Sequence, residues 1–123
     1  MRNQPKYNFF KNTNYAISGL CEIVKNESSF KIELVIIAIL SVCSLFLKLS
    51  VALHIILIVS LLLVLLTECL NSAIERCVDL TTTQIHPLAK AAKDAGSAAV
   101  FISICIAVIS WGFVLFELIF GLA

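Results

Sequence analysis

Three long runs of apolar residues dominate the chain, Phe30 to Leu47, Val51 to Thr67 and Ala98 to Phe120. Each is near the ~20 residues of helix that cross a hydrocarbon core, so each predicts a membrane span. Only Lys48, Leu49 and Ser50 separate the first two, which predicts a tight reversal. Past Thr67 the pattern stays amphipathic and meets no Gly or Pro before Leu80, so the second helix is expected over about 51–80, its end projecting from the membrane. Thr81 to Thr83 and Ile85-His86-Pro87 read as a short polar loop, with the third spanning helix over about 88–120. Ahead of the first run, Phe9, Phe10, Ile17, Leu20, Ile23 and Val24 recur at helical spacing among Lys11, Asn14, Glu22 and Lys25. That predicts an amphipathic helix over about 5–28 lying in the interface plane. The expected fold is one all-α integral membrane domain over 1–123, a surface helix plus three spans at about 30–47, 51–80 and 88–120.

Composition agrees with lipid as the solvent. Hydrophobic residues are 60% of the 123 and charged ones 14%, against about 45–50% and 25% in soluble domains. A net charge of +1 leaves no basic excess for displacing the counterions of a nucleic acid. The five cysteines are odd in number and form no C-x-x-C pair, which argues against a disulfide framework or metal cluster. No compact apolar core with a small-residue cleavage site occupies the first thirty residues, so no cleavable leader is expected.

Charge matters more by placement than by sum. Arg2, Lys6, Lys11, Lys25 and Lys31 precede the first span, Arg76, Lys90 and Lys93 lie between the second and third, and Lys48 alone marks the other side. By the positive-inside rule the N-terminus and the polar loop are cytoplasmic and the C-terminus is outside.

At ~100° per residue, Glu68, Asn71, Ser72, Glu75 and Asp79 share one narrow helical face. Leu61, Val64 and Leu65 continue that face into the membrane, so the polar stripe begins where lipid ends. A carboxylate at such a boundary is costly without a partner and points to function, although a charged helix end leaving a membrane is the plain alternative. Lys90, Lys93, Asp94 and Ser97 share a face at the start of the third spanning helix, beside the small residues Ala95, Gly96, Ala98 and Ala99, which permit close helix approach. Lysines beside an acidic helix suit a polyanion held through a divalent metal; membrane-end anchoring is the competing reading. No G-x-x-x-x-G-K-[ST] loop is present. Read this way, the residues reach a membrane-surface acidic and basic site and do not name its substrate.

The run Glu68-Cys-Leu-Asn-Ser-Ala-Ile-Glu75, then Val78-Asp79, then His86-Pro-Leu-Ala-Lys-Ala-Ala-Lys93-Asp94-Ala-Gly-Ser-Ala-Ala-Val100, strongly resembles the bacterial diacylglycerol kinases. Asn26-Glu27 with Phe30 and Glu33, Tyr15, Gly19-Leu20 and Trp111 extend the resemblance over nearly the whole chain. It implies transfer of the ATP γ-phosphate to the primary hydroxyl of diacylglycerol, giving phosphatidic acid, in a homotrimer of the bacterial inner membrane with sites shared between subunits. Carried over position by position, it implies Glu68 as general base with Asn71 beside it, and Glu27 and Glu75 as ligands of the Mg²⁺ that accompanies ATP. Tyr15, Glu27, Glu75, Asp79, His86, Lys93 and Asp94 are implied to hold the nucleotide, and Glu33, Glu68, Ser97 and Trp111 to lie toward the lipid. Family members often carry an arginine near the start of the surface helix; the matching position here is Asn8. Undecaprenol kinases look similar in the same motifs, and Leu80 with His86-Pro87-Leu88-Ala89-Lys90 leans toward them. Asn71-Ser72 and Gly96-Ser97-Ala98-Ala99 lean toward the diacylglycerol type. A small proton-coupled transporter could also use Glu68 as its membrane carboxylate, but would place the acid deeper and needs no cluster at the membrane edge.

Overall fold

Side-chain caps, one proline and one glycine divide the chain into four helices in the computed structural model, which describes residues 6–121. Arg2 and the expected helix start at residue 5 lie outside the described residues. The first helix, α1, runs Phe9–Asn26. It starts there because Asn8 is extended and its Oδ1 accepts the otherwise orphaned N–H groups of Phe10 and Lys11 at 3.1 and 3.2 Å, the standard N-cap arrangement. Asn8 thus carries a local structural job. No α1 residue is buried, and Phe9, Phe10, Ile17 and Leu20 stay exposed, an apolar face free to rest on a membrane.

A single extended residue, Glu27 (φ −120°, ψ 104°), separates α1 from α2, Ser28–Leu45. Its N–H closes α1 on the Ile23 carbonyl at 2.8 Å and its carbonyl accepts from Lys31 at 3.2 Å to open α2. The pattern predicted unbroken helix through residue 28; no Gly or Pro announces this break, and the serines at 28 and 29 are its weak local signal. After a tight turn, Ser50 caps α3, Val51–Thr81, by accepting from Leu53 N at 3.3 Å. Thirty-one residues span roughly 46 Å, longer than a hydrocarbon core of about 30 Å. Pro87 at the first helical position and His86, whose Nδ1 accepts from Leu88 N at 3.1 Å, open α4, Pro87–Phe120. Gly121 ends it with a left-handed φ of 63°, which a residue without a Cβ adopts freely.

The helices α2, α3 and α4 are each long and apolar enough to cross a membrane, giving an all-α integral membrane fold. The main packing is α3 against α4, with α2 on α3 and α1 touching only the polar end. Ile37, Leu61, Val64 and Ala107 form the core, with Leu40, Leu65 and Trp111 against it. Buried serines satisfy themselves: Ser44, Ser60 and Ser103 donate to the carbonyls of Ser41, Leu57 and Val100. Two polar bonds cross from α3 to α4 inside the apolar layer, Thr67 Oγ1 with Ser103 Oγ at 2.8 Å and Trp111 Nε1 to the Leu57 carbonyl at 3.2 Å. Without a hydrophobic driving force between helices in lipid, such bonds and close packing do the joining.

Candidate active site

The polar stripe of α3 meets the break between α1 and α2. Ser72 is buried and its Oγ donates to Glu27 Oε1, so a residue 45 positions earlier in sequence lands on the stripe. Arg76, one residue past Glu75, forks onto two carboxylates: it donates to Glu22 Oε2 and, at 3.1 Å, to Glu27 Oε1. The Arg76 guanidinium holds the Glu22 carboxyl below its ordinary range.

The carboxylates of Glu27, Glu33 and Glu75 all act on that of Glu68, Glu33 the most strongly. Glu33 sits in the second turn of α2, half-buried, with Oε2 sealed from water and unpartnered among the described residues. Asn71 donates to Glu75 Oε1 at 3.3 Å while its own Oδ1 is buried without a partner among the described residues. Gly96 of α4 lies against that oxygen, so closely that a Cβ there would overlap it. Below Glu33 an apolar groove of about 170 Å³ descends between Ile36, Ile37, Leu40, Leu61, Val64 and Ile104.

Further out, a cleft of about 560 Å³ opens between the end of α3, the loop and the start of α4. Asp79, His86, Lys90, Lys93 and Asp94 line it. Lys93 Nζ pairs with Asp79 Oδ1 at 2.6 Å across the two helices, and Lys90 with Asp94 at 2.5 Å one turn along α4. Because His86 spends Nδ1 on the helix cap, its Nε2 is the nitrogen left for a ligand.

The structure therefore gathers two of the predicted groups within one chain: Glu27, Glu33, Glu68, Asn71 and Glu75 where the polar stripe of α3 meets the α1–α2 break, and Asp79, His86, Lys93 and Asp94 in the cleft beyond it. Three predicted residues stay apart. Tyr15 is exposed on α1, about 18 Å of helix before Glu27. Ser97 is exposed on α4 beside Gly96. Trp111 bonds at the level of Leu57, about 16 Å of helix deeper than Glu68. Glu22, Arg76 and Gly96 were not singled out as site residues from the sequence. For Arg76 and Glu22 no signal was available, since their pairing is tertiary; the small-residue run around Gly96 was a partial one.

This geometry can be set beside known proteins. The family model described as prokaryotic diacylglycerol kinase matches residues 14–115. This chain belongs to that family. The diacylglycerol kinase of Haemophilus influenzae is 44% identical over 104 residues, covering 85% of this chain and 88% of its own. That of Escherichia coli K12 is 41% identical over 101 residues, 82% and 83% of the two chains. The undecaprenol kinase of Bacillus subtilis is 37% identical over 92 residues, 75% of each chain. Membership of the prokaryotic diacylglycerol kinase family makes the chain a membrane-embedded lipid kinase with a nucleotide co-substrate. Both gathered groups, from Glu27 to Asp94, fall inside the matched segment.

Proposed function

We propose that this enzyme transfers the γ-phosphoryl group of MgATP to the primary hydroxyl of diacylglycerol, giving phosphatidic acid and ADP. The observation that carries the reading is the stacking of two unlike sites on one helix: carboxylates above an apolar groove at the lipid edge, and a mixed-charge cleft beyond it. A lipid hydroxyl reaches Glu68 from the membrane, its chains along the apolar wall beneath Glu33. The nucleotide enters from the aqueous end, where Lys93 releases Asp79 to meet phosphate oxygens and Asp94 and His86 Nε2 offer polar contacts. In-line phosphoryl transfer asks the protein for alignment and charge neutralisation more than covalent chemistry. Glu68 accepts the hydroxyl proton as the oxygen attacks phosphorus, and Asn71 orients the group beside it.

The donor set suits Mg²⁺. Among the described residues no three His, Cys, Asp or Glu side chains already surround one point, but Mg²⁺ with a nucleotide takes only one or two protein carboxylates and completes its shell with phosphate and water. Glu27 and Glu75 supply those carboxylates, and the metal when bound neutralises charge on the phosphates. The basic residues clustered ahead of α2 and between α3 and α4 support a cytoplasmic N-terminus and active site and an outside C-terminus, and the reading takes the membrane to be the bacterial inner one. The distance of Tyr15 and Trp111 from the cluster, and the broad exposed apolar faces of α2 and α4, favour a homotrimer in which Tyr15, Ser97 and Trp111 serve sites shared with neighbouring subunits.

Undecaprenol is the second acceptor to consider, because one relative carries that activity in its name. A kinase assay in mixed micelles with MgATP, offering diacylglycerol and undecaprenol together, tests both. Phosphatidic acid is the expected product. Phosphorylation of neither lipid sinks the reading, and a strong preference for undecaprenol replaces the acceptor.

A further inference from the structure

Helix α1 is tied to the rest of the chain by little. It buries no residue, and one extended residue, Glu27, joins it to α2. Across that break stands Arg76. One arm of its fork holds Glu22 within α1 and the other holds Glu27 in the break itself. Glu22 is fixed from its other side, since Oε1 accepts from Asn26 Nδ2 at 2.7 Å. Both bonds to Glu27, from Ser72 and from Arg76, fall on Oε1, which leaves Oε2 clear among the described residues.

We infer that Arg76 is a positioning residue, a clamp that fixes the surface helix and turns Glu27 so that its second oxygen faces the proposed metal. The inference rests on the reading of Glu27 as a Mg²⁺ ligand. Carboxylate ligands are commonly oriented by hydrogen bonds to the oxygen that does not bind the metal. Arginine suits the job because its planar guanidinium offers several donors in a rigid fork, whereas a lysine ammonium is a single point charge on a flexible stem. The Arg76–Glu22 pair is about half exposed and the Arg76–Glu27 pair partly so, so as simple surface ion pairs they add little stability. Their effect is on geometry. A guanidinium beside a divalent cation also repels it, which favours weaker metal binding with Arg76 than without it. Orientation and repulsion therefore push the metal requirement in opposite directions when the residue is removed.

Three variants separate these effects: Arg76→Gln removes fork and charge, Arg76→Lys keeps charge without the fork, and Glu22→Gln loosens only the α1 arm. Two quantities are measured: the Mg²⁺ concentration giving half-maximal lipid phosphorylation, and amide hydrogen exchange over 22–29 without metal or nucleotide. A clamp predicts that both Arg76 variants raise the Mg²⁺ requirement roughly 10-fold, with kcat at saturating Mg²⁺ nearly unchanged. It also predicts faster exchange over 22–29 in both. Glu22→Gln should speed exchange in α1 with a smaller rise in Mg²⁺ requirement. An Arg76→Lys enzyme indistinguishable from the parent overturns the inference, as does an Arg76→Gln enzyme that needs less Mg²⁺ or exchanges no faster. If the parent itself phosphorylates no lipid in a Mg²⁺-dependent way, the functional reading fails instead, and the exchange arm alone decides whether Arg76 holds the break.

Discussion

Gly96 on α4 lies against the Asn71 side chain on α3, leaving no room for a Cβ beside the carboxamide oxygen. Among the described residues that oxygen is buried and unpartnered, while the amide nitrogen holds Glu75. Gly96→Ala therefore either pushes the helices apart or turns Asn71 off Glu75. The expected cost is about 1 kcal/mol of stability, the low end for overpacking, because the atom met is the tip of a side chain. Activity should fall further than stability, because Asn71 and Glu75 lose their register. Reversible unfolding in detergent micelles beside kcat measurements checks this; unchanged kcat contradicts it.

Glu68→Gln keeps the size of the side chain and removes its ability to accept a proton. A general base contributes about 10²–10⁴-fold, so kcat should drop by about that much. KM for MgATP should barely move, and size-exclusion profiles in detergent should match the parent.

The Lys93–Asp79 pair is largely exposed, so Lys93→Met should change stability by less than about 1 kcal/mol. If Lys93 meets phosphate oxygens, losing one charged hydrogen bond raises KM for ATP about 10-fold or more. A variant with normal KM and reduced thermal stability would make the pair structural.

The bond from Arg76 to Glu22 should show a pH signature. Glu22 is held below its ordinary range in the folded protein, so its stabilising contribution is complete above the unfolded carboxyl value and is lost as pH falls through the depressed folded value. Protection of the α1 amides should decline over that acidic window. In the Glu22→Gln enzyme this decline should be absent.

The sequence by itself determined the layout along the membrane normal. Runs of Leu, Ile and Val long enough to span lipid, the reversal at Lys48 to Ser50, the loop ending near Pro87, and the polar face from Glu68 to Asp79 are one-dimensional signals, because burial in lipid and turn formation depend on residues within a few turns. Those same signals predict Glu68 at the lipid edge and Asp79 further out. The tertiary structure alone decided what crosses between helices. The break at Glu27 has no Gly or Pro to announce it and is held by Ser72 and Arg76, 45 and 49 residues away. Gly96 reads as one small residue among several until α4 is seen packed on Asn71. Arg76 counts in sequence as one more basic charge near a membrane; its fork acquires meaning only when packing brings Glu22 and Glu27 within a hydrogen bond of it. Periodicity reports which face a residue occupies, but the partner on that face is chosen by helix packing in three dimensions.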